Sequence, residues 1–163
     1  MTRFLSLGIV LFGLLLIGLI GADSHKSQIV VSHAWSPAAP SNMSMHAGYF
    51  VLHNQNTRPV ELLSVSSPEY ESIDIHESKI IDGIVGMSQL PSLLIEPDQK
   101  IEFKSGGLHL MLRNPDSIKR AGDSFAVQLK FSDGVLVDLM MKVAKNSPMQ
   151  VDTLKSDMHH HHH

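Results

Sequence analysis

There is no cysteine anywhere in this chain of 163 residues. That absence excludes disulfides, a thiolate nucleophile, zinc held by thiolates, and the His/His/Cys ligand set of a blue copper centre. Charge is sparse as well. Thirteen Lys and Arg stand against sixteen Asp and Glu, a net −3, so there is no basic footprint for nucleic acid. No sustained helical period, internal repeat or second domain is visible along the sequence. The length suits one domain with a real core.

The long apolar run lies at one end. Met1-Thr2-Arg3 precedes an uncharged, leucine-rich stretch from Phe4 to Ala22, the pattern of a secretory signal peptide. Ala22-Asp23-Ser24 offers small residues at the two positions a signal peptidase reads, so residues 1–24 are assigned to a leader cleaved after Ser24. The run is nearly long enough to span a bilayer. An uncleaved anchor is therefore the alternative, and the one route to a membrane. With no cysteine after the run, a lipoprotein anchor is excluded. The mature domain is expected in the periplasm.

From Ser27 the chain reads as short strands between turn signals. Ile29 to Trp35 alternates, and Ser36 to Asn42, with two prolines, is a loop. Strands follow at Ala47 to His53, Val60 to Val65 and Tyr70 to His76. Asp82-Gly83 and Ser132-Asp133-Gly134 are hairpin turns. Ile101 to Phe103 leads into Ser105-Gly106-Gly107 and a strand from Leu108 to Leu112. Asn114 to Asp123 is a polar excursion with room for one helical turn. Phe125 to Phe131 and Val135 to Val143 alternate cleanly and close the domain. Eight or nine short strands imply an all-β fold, an antiparallel sandwich or barrel, over residues 27–145. Residues 146–163 read as a polar tail.

What the chain does have is methionine, nine residues in all. Most are expected to fill gaps in the core, but two stand out. In Leu108 to Leu112 the leucines share one face and His109 and Met111 the other, since strand side chains alternate. His76 likewise lies opposite Ile73 and Ile75, beside Asp74, which is either a partner for the imidazole or a solvated acid. Met87 sits between Gly86 and Ser88, poor surroundings for a core methionine. Two imidazoles and two thioethers make a neutral, soft donor set. It favours Cu(I) over Zn(II), which prefers thiolate, imidazole or carboxylate, and over Ca(II) or Mg(II), which want oxygen.

Ten residues separate His76 from Met87, and twenty-one separate Met87 from His109-Leu110-Met111. This spacing resembles the H-x10-M-x21-H-x-M signature of the periplasmic copper chaperones of the PCuAC type. Ala34-Trp35 before a Pro-rich loop, Ala47-Gly48-Tyr49-Phe50 with Asn54, His76-Glu77, and Gly106 to Met111 resemble the surrounding family motifs, and the likeness runs over residues 28–143. Two positions depart from it. Ser36 stands where the family often has a basic residue, and Ser105 where it often has proline. The resemblance implies a cupredoxin-like β-sandwich or Greek-key barrel that binds one Cu(I) near its surface, with no enzymatic activity. It also implies delivery to the CuA centre of cytochrome c oxidase subunit II, directly or with a Sco-type thioredoxin-like chaperone. A monomer is expected.

Other candidates are weaker. Met43, Met45 and His46 form an auxiliary soft site, line the copper site, or simply pack. His33 is in line with Ile29, Val31 and Trp35 and reads as a packed or edge histidine. His53, near a turn, is expected to be exposed. Met158 with His159, His160, His161, His162 and His163 is either a native tail or a purification tag. Five histidines rather than six, with no linker before them and the leader retained, favour a native tail. Such a tail would collect Cu(II), for which imidazole is a good donor. Competing functions are copper storage or resistance, an electron-transfer cupredoxin, and a structural or adhesion sandwich in which the four residues only pack.

Overall fold

The computed structural model describes residues 28–147. The leader (residues 1–24), His25, and the tail from residue 148, with Met149, Met158 and His159 to His163, lie outside the described residues. Ten strands run in chain order: β1 Ile29–Pro37, β2 Met45–Asn54, β3 Val60–Ser66, β4 Tyr70–Ile81, β5 Ile84–Leu90, β6 Leu93–Ile95, β7 Lys100–Phe103, β8 Leu108–Pro115, β9 Ser124–Phe131 and β10 Leu136–Ala144. Among the described residues there is no helix, so none that could cross a membrane.

The strands hydrogen-bond in the order β5-β4-β8-β2-β1-β10-β9-β3-β6, with β7 also on β2. Strand β2 serves two neighbours along the same edge. Its first half, Met45 to Gly48, pairs with β8, and its second half, Phe50 to His53, pairs with β7. The sheet thus divides at β2 into a small part, β5-β4-β8, and a large part from β1 to β6. Both contribute to one core. Ile73, Ile75, Leu110 and Leu112 come from the small part, and Leu62, Phe125, Val127, Leu129, Phe131 and Met141 from the large part. Each such side chain contributes roughly 1.5–3 kcal/mol by leaving water. Gly48 lies at the division. A Cβ there would meet Met141 Cε at 3.0 Å and Leu112 Cδ1 at 3.1 Å, so a larger residue would have to push both core side chains aside by a few tenths of an ångström.

The all-β reading holds, with one addition. Every pair is antiparallel except β1 with β10, which run parallel from Trp35/Lys142 to Pro37/Ala144. Strand β6 had no signal of its own, because three residues are too few to show alternation. Residues 116–123 form bends and turns and no helical turn. Lys119 is instead drawn inward, 2.6 Å from Glu69 and 3.0 Å from Asp116. His33 is neither packed nor at an outer strand. It is exposed, with φ 55°, where the β1/β2 register shifts between Ser32 and Trp35. An irregularity of one residue breaks the alternation on which its placement beside Val31 depended. His53 is largely covered and bonds Asp98 at 2.8 Å, because Asp98 sits in a turn facing β2.

Candidate metal centre

The small part of the sheet carries the candidate site on its outer face. His76 on β4 lies directly across from His109 on β8. Their rings are 5.9 Å apart, centre to centre. One step along β8 on the same face is Met111, opposite Asp74 of β4 and Ala47 of β2. On the far side of β4, Met87 of β5 lies opposite Ser78, one step along from His76. Diagonal neighbours of this kind are about 7–8 Å apart and within reach of long side chains. A hollow of about 310 Å³ gathers Met87, His109 and Met111 over Ala47 and Tyr49. The structure therefore brings His76, Met87, His109 and Met111 onto one face, across three adjacent strands.

Why the chain folds this way locally is clear. Asp82 and Gly83 both have positive φ, 52° and 79°, the pair of conformations a two-residue hairpin between β4 and β5 requires. The hairpin folds Met87 back beside β4. At the other end, Gly106 at φ 76° turns the chain into β8. The Gly107 carbonyl then accepts two hydrogen bonds, from the Ser78 backbone N–H at 3.1 Å and from His109 Nδ1 at 2.9 Å. Since a carbonyl can only accept, Nδ1 of His109 carries a proton, and in the neutral ring the lone pair is on Nε2. The tautomer is thus decided by the turn.

His76 is the other half of the chemistry. Both ring nitrogens are buried and neither has a hydrogen-bond partner. An unpaired buried polar atom costs about 1–3 kcal/mol, so this imidazole carries hydrogen-bonding capacity that no protein group uses. Desolvation lowers its pKa below the usual 6.5, and neighbouring His109 adds to the effect. Arg113 acts in the same direction and Asp74 against it. The neutral, lone-pair-bearing form is the one that ligates metal. Asp74 does not orient His76. Its carboxylate takes Arg113 Nη2 at 3.1 Å and Gln89 Nε2 at 2.9 Å, because Arg113 and Gln89 project beside it from the flanking strands.

Met43 and Met45 also line the hollow, half-exposed. His46 touches the same hollow, but its ring is turned toward Tyr70. As the next residue on β2 it points the opposite way, is buried, and its Nδ1 lies 2.9 Å from the Tyr70 hydroxyl. Burial lowers its pKa, opposed by the Met43 backbone and helped by Lys119. The Gly107 carbonyl was not legible in the sequence, because its role depends on φ and ψ, and Tyr49 was legible only as part of the Ala47 to Phe50 motif. Among the described residues no three His, Asp or Glu side chains converge. A harder ion would therefore lack its preferred ligands here.

The LpqE-like family model matches residues 29–143. An uncharacterised protein of Rickettsia prowazekii (strain Madrid E) is 31% identical over 107 residues, covering 65% of this chain and 59% of that protein. A protein of Leifsonia xyli subsp. xyli (strain CTCB07), which bears the provisional name of a lipoprotein, is 29% identical over 107 residues, covering 65% of this chain and 63% of its own length. The match thus spans about three-fifths of each of these relatives. Among solved structures, the Cu(I) form of DR1885 from Deinococcus radiodurans is 25% identical, with a TM-score of 0.59 over 78% of this chain and 84% of that one. The copper-bound PCuAC domain from PmoF2 superposes with a TM-score of 0.62 at 20% identity, over 74% and 95% of the two chains. The match over residues 29–143 places this chain in the LpqE-like family, and the TM-score of 0.62 gives it the fold of the PCuAC domains.

Proposed function

We propose that this protein is an exported Cu(I) carrier, not an enzyme, and that His76, Met87, His109 and Met111 hold the ion. The observation that carries the reading is the facing pair of imidazoles. One has its tautomer set by Gly107, and the other has two buried nitrogens with no protein partner, beside thioethers on the same sheet face. Two of the similar structures, a Cu(I) form and a copper-bound domain, point the same way. Neutral nitrogen and sulfur donors suit a soft monovalent ion.

Release follows from the same geometry. Met87 is 56% exposed on the outermost strand of the sheet, so an acceptor can approach from that side and displace a weak thioether first. His109, anchored to Gly107, holds its place while the exchange proceeds. A thiolate-rich acceptor wins because thiolate is the stronger ligand for Cu(I). The CuA centre of cytochrome c oxidase subunit II, or a Sco-type chaperone, has that chemistry. The leader and the lipoprotein name of one relative support export to the cell envelope, with the periplasm as the site of action.

The test is a competition between the full chain and a chromophoric Cu(I) chelator. His109→Ala and Met111→Ala should each weaken binding by at least the ~10–100-fold that even an outer-sphere partner of a metal is worth. Parent-like binding by both variants rejects the site. Transfer of copper to a CuA apoprotein, followed by the visible spectrum that appears once ferricyanide has removed one electron from the reduced dicopper centre, then tests delivery.

A further inference from the structure

Six methionines lie among the described residues, and they divide sharply by environment. Met141 is buried in the core, and Met140 is 59% exposed on the opposite face of β10. The other four, Met43, Met45, Met87 and Met111, line a single hollow of about 310 Å³. Methionine in a core is a packing residue. Met43 and Met45 are not in the core, with 49% and 43% of their surface open to solvent. Burial therefore does not account for them.

The register explains how they come to the hollow. Met45 lies opposite Arg113 and Ala47 opposite Met111 in the β2/β8 ladder. Met45 is thus the diagonal neighbour of Met111 on the same face, within reach of a long side chain. Ala47, with only a methyl group, leaves the space between Met111 and Tyr49 open. Met43 is brought in by the turn before β2, whose Met43 N–H donates to the Pro40 carbonyl at 3.0 Å. His46 also touches the hollow, but its Nδ1 is taken by Tyr70 and the residue is buried, so the exposed donors of this segment are the two thioethers. Thioethers carry no charge and do not protonate, so they select for softness and tolerate loss of the ion.

We propose that Met43 and Met45 form a second, weaker thioether subsite for a soft monovalent ion at the rim of the hollow. The reading rests on the Cu(I) site proposed above. The subsite takes an arriving or departing Cu(I) by exchange of one sulfur donor for another, with no change in oxidation state. It binds more weakly than the imidazole-containing site because it offers only thioethers and because a second monovalent cation nearby is repelled.

The experiment is a titration of the full chain, labelled with [methyl-13C]methionine, with Ag(I). Silver is a redox-inert d10 ion with the same preference for sulfur. Met87 and Met111 methyl signals should shift over the first equivalent, and Met43 and Met45 over the second. Met140, equally exposed but on another face, is the internal control and should stay unmoved through two equivalents. Met45→Leu, which preserves volume at an exposed position, should abolish the second-equivalent shift of Met43. The proposal is overturned if Met43 and Met45 stay still through two equivalents, if they move only in step with Met140, or if Met43 shifts as in the parent when Met45 is leucine. Movement of Met43 and Met45 before Met87 and Met111 would reject the order of affinity and, with it, the primary Cu(I) site.

Discussion

At the scale of single residues, the chain gives up stability to keep His76 available. Two buried ring nitrogens without partners are a cost that metal binding at the proposed site would recover. His76→Leu should therefore raise the stability of the metal-free protein by about 1 kcal/mol in urea denaturation, while abolishing Cu(I) binding. Lower stability in the variant would mean that the imidazole contributes to the fold. The second prediction concerns protons. The pKa values of His46 and His76 are both lowered from 6.5 in the folded protein, chiefly by burial. Above pH 6.5 both are neutral folded or unfolded, and neither contributes a pH dependence. As pH falls below 6.5 the unfolded chain takes up protons before the folded one, so stability drops towards the lowered pKa values. Thermal melts between pH 7 and pH 5 should show that loss. His46→Gln, which keeps an acceptor for the Tyr70 hydroxyl, should flatten part of it.

Individual strands and turns differ in how much the local sequence could say. The hairpins at Asp82-Gly83 and Ser132 to Gly134 were legible because their residues permit positive φ, and the structure has positive φ at Asp82, Gly83 and Gly134. The faces of β8 and β9 were legible because alternation is strict. Leu110, Leu112, Phe125, Val127, Leu129 and Phe131 are all buried. The turn after β2 was visible only as polar composition. In the structure Asn54 is fully buried, and its amide donates to the carbonyls of Arg58, Ile95 and Glu96 at 3.0–3.1 Å. It joins β2, the loop after it and the end of β6. Asn54→Ala should destabilise the fold by about 2–3 kcal/mol, since several buried groups lose partners at once. The β4/β5 hairpin is the opposite case. Ile80 and Ile81 of β4 and Ile84 and Val85 of β5 are each at least 65% exposed, and β5 has β4 as its one neighbour. Ile84→Lys should change the unfolding free energy by less than about 0.5 kcal/mol, and a larger loss in denaturation would show that the hairpin packs more tightly than its exposure indicates.

For the whole molecule, the candidate site ties β4, β5 and β8 together at the end of the sheet that shares the core with β9 and β3. Binding there should stabilise the cooperative unit. At free Cu(I) one hundred times the dissociation constant the gain is about 2.7 kcal/mol, to be read as a higher melting temperature that a Cu(I) chelator reverses. The amino-acid sequence by itself determined the all-β class, most strand faces, two hairpin turns and the placement of His109 and Met111 on the face opposite the leucines, because each depends on alternation or on a residue's own φ range. It left Asp74 between two roles, grouped His46 with Met43 and Met45, and aligned His33 with Val31. Tertiary structure decided these. A cross-strand register paired Asp74 with Arg113 and His76 with His109, a single step along β2 turned His46 to Tyr70, and an irregularity in β1 turned His33 outward. Such partners come from strands distant in sequence, and no local period encodes which of them will meet.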